Sequence, residues 1–216
     1  MCGRYSLSYA DLGAVVAALD AMIDPAAAEL YRPRYNVAPS NAVVIARPRD
    51  DHAVLVPAVW GLRREARFIV NVRSESAASR LQGAHPAGRC VVPADGFYEW
   101  MGEAKERRPI WFHAEDGAPL LMAGLLDEGD VPSFAVLTAP ARPPVKDIHD
   151  RMPVLLSREG ARRWLLGDAP RAIRSDEVAI VGRPVSPRVN ATANDDPACL
   201  EPPGAGDTGK KQLSLF

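Results

Sequence analysis

The feature that most constrains the fold is a series of short apolar runs, each of strand length and each followed by turn-forming residues. Between residues 42 and 185 these runs are rich in Val, Ile and aromatic residues, and Pro, Gly and Asp separate them. Such runs predict β-strands joined by turns. The strand–helix–strand rhythm of a parallel sheet is absent, so the sequence predicts an α+β fold. We expect one β-rich domain with a curved or barrel-like, mostly antiparallel sheet and a few flanking helices.

Two segments have helical periodicity instead. In residues 9–22 the apolar positions follow the i, i+3, i+4, i+7 spacing of a helix face, and Ser8 is the expected N-cap. A second helix is predicted over about residues 158–166, with Ser157 as its cap. The apolar pattern stops near Glu201. We therefore expect residues 2–203 to form the domain and residues 204–216 to form a flexible tail.

The composition excludes several classes of protein. The 216 residues are 47% hydrophobic and 25% charged, which is ordinary for a soluble globular chain. No apolar run approaches the roughly 20 residues that cross a bilayer, and no secretory signal is visible. Cys2, Cys90 and Cys199 have neither the number nor the spacing of a disulfide framework or a zinc site. We expect a cytoplasmic monomer that does not act at a membrane.

The charge balance gives no general sign of nucleic-acid binding, because the net charge is −1. Only four of the 26 basic side chains are lysine. The arginine fork suits phosphate groups, although a GC-rich coding sequence produces the same bias. Phosphate contacts are therefore to be sought at particular arginines.

Cys2 directly follows the initiator methionine. Removal of Met1 would leave a 1,2-aminothiol, with an α-amine of pKa about 8 and a thiol of pKa about 8.5. An aldehyde forms a Schiff base with such an amine, and the adjacent thiol then closes a thiazolidine ring. An internal cysteine cannot do this, and neither can Cys2 while Met1 is present. The alternative is a cysteine without a function near a frayed terminus.

Two titratable residues lie in segments that suit proton transfer. Glu99, in the run DGFYEW, shares a strand face with Phe97, while Tyr98 and Trp100 share the other. A carboxylate among aromatics is desolvated, which raises its pKa. His149, in KDIHDRMP, can exchange protons near neutral pH. The alternatives are a solvent-facing edge glutamate and a loop histidine bonded to a neighbouring aspartate.

Asn71 and Arg73, in IVNVRSES, share one face of a predicted strand. An amide beside a guanidinium suits a sugar and its phosphate, and the alternative is the solvent face of a half-buried strand. Trp60 and Trp100 could stack on bases, although packing in a core is the commoner use of tryptophan.

Taken together, the motifs MCGRYS, RYNVAPS, WGL, NVRSES, CVVPADGFYEW, LTAPA, IHDRMPVLL and VNATANDDPACLEP resemble those of the SOS-response-associated peptidase (SRAP) family, in the same order. The resemblance covers residues 2 to about 203. It implies an abasic-site processing protein whose exposed Cys2 forms a stable thiazolidine crosslink with the ring-opened abasic site in single-stranded DNA. The lesion would thereby be shielded in the DNA damage response. No metal or organic cofactor is implied.

The resemblance also implies roles for single residues. Glu99 would be the acid/base of the Schiff-base and ring-closing steps, His149 would assist sugar opening or reversal, and Asn71 would orient the amine or sugar. Further residues would contact DNA, as phosphate ligands or along its path: Arg4, Arg73, Arg151, Trp60, Pro39, Thr138 and Trp100. In place of the family's usual Pro- and Trp-containing loop, RREAR follows WGL here, and MAGLL ends in Leu where an aromatic residue is common.

The run QLSLF at residues 212–216 resembles the peptide by which bacterial repair proteins bind the sliding clamp. In it Leu213, Leu215 and Phe216 would enter an apolar pocket, with Gln212 preceding them, and the polar residues 202–211 would form a tether. The alternative is an apolar end that folds back on the domain.

Two other functions remain open at this stage. One is a cysteine peptidase with Cys2 as nucleophile, His149 as base and Glu99 as the residue that orients the histidine. The other is a clamp-tethered protein that binds single-stranded DNA without catalysis.

Overall fold

A computed structural model describes residues 2–64, 67–81, 88–102, 107–167 and 175–204. Within these ranges the strands are β1 (Tyr5–Leu7), β2 (Ala21–Ile23), β3 (Arg34–Val37), β4 (Ala42–Arg49), β5 (His52–Trp60), β6 (Leu62–Arg64), β7 (Arg67–Ile69), β8 (Asn71–Arg73), β9 (Arg89–Ala94), β10 (Gly96–Met101), β11 (Arg108–Ala114), β12 (Leu120–Asp127), β13 (Ser133–Pro140), β14 (Arg151–Pro153), β15 (Leu155–Leu156) and β16 (Ile180–Pro184). The helices are α1 (Gly13–Leu19), α2 (Pro25–Leu30), α3 (Ser74–Leu81) and α4 (Arg158–Leu166). Short 3₁₀ turns span Val145–Asp147, Pro187–Asn190 and Pro197–Cys199.

The larger sheet closes on itself. Its strands pair in the order β13, β12, β9, β4 and β5, and a parallel pairing of β5 with β13, Trp60 opposite Phe134, completes the ring. These strands are buried on nearly every residue because the closed sheet encloses one of its faces and α1 and α4 pack on the other. Strands β2 and β8 add parallel partners at β5 and β13. Apart from these two pairings and that of β5 with β13, the described pairings are antiparallel. The expected β-rich domain with a barrel-like, mostly antiparallel sheet is confirmed.

A second sheet packs against the barrel. Its order is β16, β11, β10, β1 and β3, and its inner face contributes Tyr5, Phe97 and Phe112 to a core shared with the barrel residues Met122 and Phe134. Its outer face carries Tyr98, which packs with Val185, Val189 and Cys199. Phe97 and Tyr98 therefore lie on opposite faces, as the strand alternation predicts.

One predicted helix is right and the other is shorter than expected. Ser157 caps α4, since its Oγ accepts a hydrogen bond from the Gly160 N–H at 3.0 Å. The helix predicted over residues 9–22 spans only Gly13–Leu19. Asp20, with φ of 49°, ends it, and the chain continues as β2 beside β5. Ser8 is not its cap, because its backbone N–H and hydroxyl bond the Asp95 carboxylate instead.

In the described ranges, no helix has the length and the apolar character that a membrane span requires. The predicted tail peptide, QLSLF, and most of its tether lie outside the described residues.

Candidate functional site

Cys2 reaches the interior because of the strand that follows it. β1 pairs antiparallel with β10, with Tyr5 opposite Phe97, and the N–H of Tyr98 donates to the carbonyl of Arg4 at 3.0 Å. The chain before β1 therefore runs along the half of β10 that carries Glu99. Cys2 is fully buried, and its Sγ lies 3.7 Å from the Arg4 carbonyl oxygen.

The thiol of Cys2 is held in its neutral form. Burial raises its pKa well above the ordinary value, and the negative charge of Glu99 raises it further. The pKa of about 8.5 was expected for this thiol after Met1 removal and stays a prediction, since the raised pKa is that of the chain that retains Met1. A thiol in this position needs a nearby base to accept its proton as it attacks.

Glu99 is the carboxylate that lies near this thiol. Its side chain is in the core, with 3% exposure. Burial raises its pKa to about 7, and the positive α-amino group of the chain opposes part of this rise. At neutral pH the carboxyl therefore exists in both forms, so it can accept and return a proton, as expected for an acid/base group.

Asn71 holds the backbone of Cys2. It begins β8, which lies parallel to β13 with Asn71 beside Val136, and its Nδ2 donates to the Cys2 carbonyl oxygen at 2.7 Å. Its buried Oδ1 has no hydrogen-bond partner among the described residues. An orphaned acceptor of this kind has a free-energy cost unless a ligand or an amine bonds it. The amide is thus placed to orient a group that arrives beside Cys2.

His149 lies between the 3₁₀ turn at Val145–Asp147 and β14. Its Nδ1 accepts a hydrogen bond from the backbone N–H of Arg151 at 2.9 Å, and burial lowers its pKa. The lowered pKa favours the neutral imidazole, and the hydrogen bond that Nδ1 accepts favours the tautomer with its proton on Nε2. The same Nδ1 lies 2.9 Å from Asp150 Oδ1, a contact that attracts only when Nδ1 carries a proton.

The three predicted phosphate-binding arginines have different surroundings. Arg73 is exposed and has no hydrogen bond or ion pair from its side chain to a described residue. Arg4 is half-buried, and its Nη1 donates to Asn36 Oδ1 at 2.7 Å and to the Val189 carbonyl at 2.8 Å. Arg151 is 9% exposed, and both terminal nitrogens of its guanidinium donate hydrogen bonds to the Glu75 carboxylate. Protein groups occupy donors of both Arg4 and Arg151, and the expectation that these two arginines hold phosphates stays a prediction.

Two residues expected along the DNA path lie in the core instead. Trp60 is fully buried, its Nε1 donates to the Val70 carbonyl at 2.9 Å, and its ring stacks on Phe134. Thr138 is also fully buried, in the middle of the barrel sheet. Barrel closure places Trp60 inside, whereas Thr138 lies between β14 and β8 and against the Arg151 guanidinium. The other two, Pro39 and Trp100, are half-buried, and Trp100 donates to Asn190 Oδ1 at 2.7 Å.

A group of hydrogen bonds that was not predicted from the sequence joins the C-terminal segment to the strands beside Cys2. The Asn36 amide donates to three carbonyls, those of Val189, Ala191 and Asn194. The carboxylate of Asp195 accepts from the backbone N–H groups of Tyr35 and Asn36 and from the Arg34 side chain. The signal available in the sequence was the polar run NATANDD, which is too polar to be a strand. Glu75, in NVRSES, was missed too.

Among the described residues, no group of three His, Cys, Asp or Glu side chains is arranged to hold a metal ion.

Comparison with known proteins decides the family. The family model described as "SOS response associated peptidase (SRAP)" matches residues 1–192. The chain belongs to the SRAP family. Two curated relatives are named abasic site processing proteins. YedK of Escherichia coli (strain K12) is 36% identical over an alignment of 180 positions, gaps included, which covers 76% of this chain and 79% of YedK. YoqW of Bacillus subtilis (strain 168) is 27% identical over an alignment of 228 positions, gaps included, which covers 93% of this chain and 99% of YoqW.

Solved structures share the fold of this chain. A phage-related protein from Bordetella bronchiseptica is 30% identical with a TM-score of 0.66, and the match covers 85% of this chain and 94% of that one. A protein from Bacteroides thetaiotaomicron, at 18% identity, has a TM-score of 0.72 over 93% of this chain and 99% of its own, which shows the shared fold.

Proposed function

We propose that this SRAP protein processes abasic sites in single-stranded DNA by forming a covalent thiazolidine crosslink through Cys2. The observation that carries the proposal is that Cys2 lies near the buried carboxyl group of Glu99. Cys2 is held by Asn71 and lies within the electrostatic influence of Glu99, whose pKa is about 7. The names of the relatives YedK and YoqW support the choice of substrate.

The reaction balances without a cofactor. After Met1 is removed, the α-amine of Cys2 attacks the aldehyde carbon of the ring-opened sugar, and loss of one water gives a Schiff base. Sγ then attacks the same carbon, the thiol proton leaves, and the imine nitrogen gains a proton. One N–C bond and one S–C bond form, and one water is released. Glu99 would protonate the leaving hydroxyl and accept the thiol proton, which a neutral, high-pKa thiol requires.

Other residues would serve binding and the early steps. Arg73 is the exposed arginine of the candidate set and would hold a flanking phosphate. Asn71 Oδ1 would accept a hydrogen bond from the new α-amine or from a sugar hydroxyl. His149 would assist sugar opening through its Nε2–H. Pro39 and Trp100 would border the DNA path.

A denaturing gel tests the proposal. The protein, with Met1 removal checked by mass spectrometry, is incubated with single-stranded DNA that contains an abasic site. We expect a heat-stable adduct that Cys2→Ala abolishes. Cys2→Ser retains the amine but lacks the thiol, so it should give an adduct only after borohydride reduction. Cys199→Ala, which changes a buried cysteine elsewhere, is the control. A heat-stable adduct with Cys2→Ser would rule out the thiazolidine.

The cysteine peptidase alternative is less well supported. A peptidase of this kind needs a thiolate, which a lowered pKa provides, whereas burial raises the pKa of Cys2. Turnover of a peptide other than the protein's own N-terminus would favour it. The non-catalytic alternative predicts DNA binding without any adduct, with wild-type affinity in Cys2→Ala.

We also propose that residues 212–216 bind a bacterial sliding clamp. The support is chemical: Leu213, Leu215 and Phe216 are apolar groups preceded by a segment rich in Gly and charge. Retention on immobilised clamp should be lost when all three are changed to Ala, and it should survive the change of Lys210 and Lys211 to Ala. Equal retention of the two variants would contradict the proposal.

A further inference from the structure

Glu75 and Arg151 form a bidentate ion pair at the edge of the site. The Nη1 and Nη2 atoms of Arg151 donate to Oε1 and Oε2 of Glu75 at 2.5 and 2.8 Å. The Arg151 side chain is 10% exposed and that of Glu75 is 54% exposed. A fork-to-carboxylate pair is strong and directional, and here it secures a guanidinium that has little access to water.

The same guanidinium contacts a neighbouring strand. Arg151 Nη2 also donates to the carbonyl oxygen of Thr138 at 2.5 Å. Thr138, in β13, lies opposite Pro153 of β14 and beside Arg73 of β8. Since Glu75 is in the first turn of α3, which directly follows β8, the Arg151 side chain connects α3, β13 and the start of β14.

The start of β14 is also where the imidazole is held. The backbone N–H of Arg151 donates to His149 Nδ1, whereas Asp150 Oδ1, at 2.9 Å, would favour a proton on that nitrogen. These two groups therefore favour different tautomers. The Arg151 N–H prevails only while it points at Nδ1, and the backbone that carries it is held by pairing with Pro140 of β13 and by the contacts of the Arg151 side chain.

We propose that Glu75 is a positioning residue for His149: by holding Arg151 it keeps the backbone donor aimed at Nδ1 and the ring in its Nε2–H tautomer. Glu75 itself does not touch the reacting atoms. The consequence for the reaction rests on the proposed function, in which His149 assists sugar opening. The tautomer itself is a property of the folded chain and does not depend on that function.

Nitrogen NMR of protein labelled with ¹⁵N-histidine tests the tautomer directly, because protonated and unprotonated ring nitrogens have well-separated shifts. The spectrum of His149→Gln identifies the His149 signals. We expect the Nε2–H pattern in the unmodified protein and a mixture of tautomers in Glu75→Gln and Glu75→Ala. An unchanged pattern in both variants would overturn the proposal. Glu75 is largely exposed, so both variants should fold, which thermal melting can verify.

Crosslinking kinetics test the consequence. At saturating DNA, Glu75→Ala should slow adduct formation about tenfold, a part of the 10²–10⁴-fold that an acid/base group supplies. The Kd for DNA should change by less than about twofold. Glu75→Asp, which keeps the carboxylate, should recover part of the rate. Glu159→Gln is the matched control, because Glu159 occupies the first turn of α4 and is exposed.

Two other outcomes are informative. Tighter DNA binding by Glu75→Ala with an unchanged rate would show that Glu75 competes with phosphate for Arg151, which overturns the positioning role. If the unmodified protein forms no adduct, the proposed function fails, and the NMR measurement alone decides the role of Glu75.

Discussion

Two glutamates border the candidate site, and their surroundings give them opposite proton affinities. Glu99 lies on β10 in the core, and burial raises its pKa to about 7. Glu75 lies in the first turn of α3, half in solvent, and hydrogen bonds from Arg151 lower its pKa to about 2. Near neutral pH Glu99 can exchange a proton, whereas Glu75 remains an anion. Desolvation and a guanidinium, rather than residue type, therefore determine which carboxylate suits proton transfer and which suits structure.

The largest expected effect comes from removing the titratable group of Glu99. Glu99→Gln keeps the shape of the side chain but cannot accept the thiol proton, so adduct formation should slow by about 10²-fold or more. DNA binding should change far less, because Glu99 is buried. Single-turnover gels and fluorescence anisotropy measure the two quantities. Equal losses in rate and affinity would contradict the acid/base role.

The second effect is on stability. Because the pKa of Glu99 is about 7 when folded and 4.5 ordinarily, the folded protein binds more protons between these values. Stability from Glu99 is therefore present at low pH and is lost as pH rises through about 7. Relative to Glu99→Gln, the unmodified protein should lose on the order of 2–3 kcal/mol between about pH 5 and pH 8. Urea unfolding at each pH measures this, with the exposed Glu115→Gln as control. A difference that does not vary with pH would mean that Glu99 has no raised pKa.

The third effect concerns DNA binding by Arg73, the exposed arginine in the strand beside β13. Arg73→Ala should weaken binding to DNA of any sequence, since an exposed phosphate contact is lost. The slope of the logarithm of the binding constant against the logarithm of salt concentration should fall in magnitude by about 1. The stability of Arg73→Ala should stay within about 0.5 kcal/mol of the unmodified protein. Arg163→Ala, another exposed arginine, is the control. Unchanged affinity at low salt would remove Arg73 from the phosphate contacts.

The smallest effect concerns Glu75 in acid. Its lowered pKa stabilises the fold above about pH 4.5, and this contribution is lost as pH falls through about 2. Since the side chain is 54% exposed, the contribution should be below about 1 kcal/mol. Acid unfolding of Glu75→Gln should therefore resemble that of the unmodified protein closely. A much larger difference would show that the pair is shielded from solvent.

Much of the fold was predictable from local pattern. Strand alternation placed Phe97 and Tyr98 on opposite faces, and Ser157 caps its helix as expected, because both follow from the backbone over a few residues. The helix at residues 9–22 was predicted too long because its apolar spacing does not reveal that residues 21–23 pair with β5. That pairing joins segments about thirty residues apart.

Some features of the candidate site were predictable from sequence motifs, and others depend on the tertiary structure. Cys2, Glu99, His149 and Asn71 were candidates from their motifs, and the structure brings Cys2 together with Asn71 and near Glu99. Trp60 and Thr138 could not be assigned to the core from sequence, since closure of the barrel buries Trp60 and distant strands, β14 and β8, flank Thr138. For Arg151, the sequence shows a guanidinium but does not show that it donates hydrogen bonds to a carboxylate 76 residues away.

By itself, the sequence determined the strand-rich class, the α4 helix, the family and the position of a cysteine that methionine removal would expose. Tertiary structure alone decided which of these groups is buried, paired or free. The physical reason is that propensity and alternation act over a few neighbouring residues. Desolvation, pKa and the occupancy of an arginine fork depend instead on groups that distant parts of the chain bring within a few ångströms.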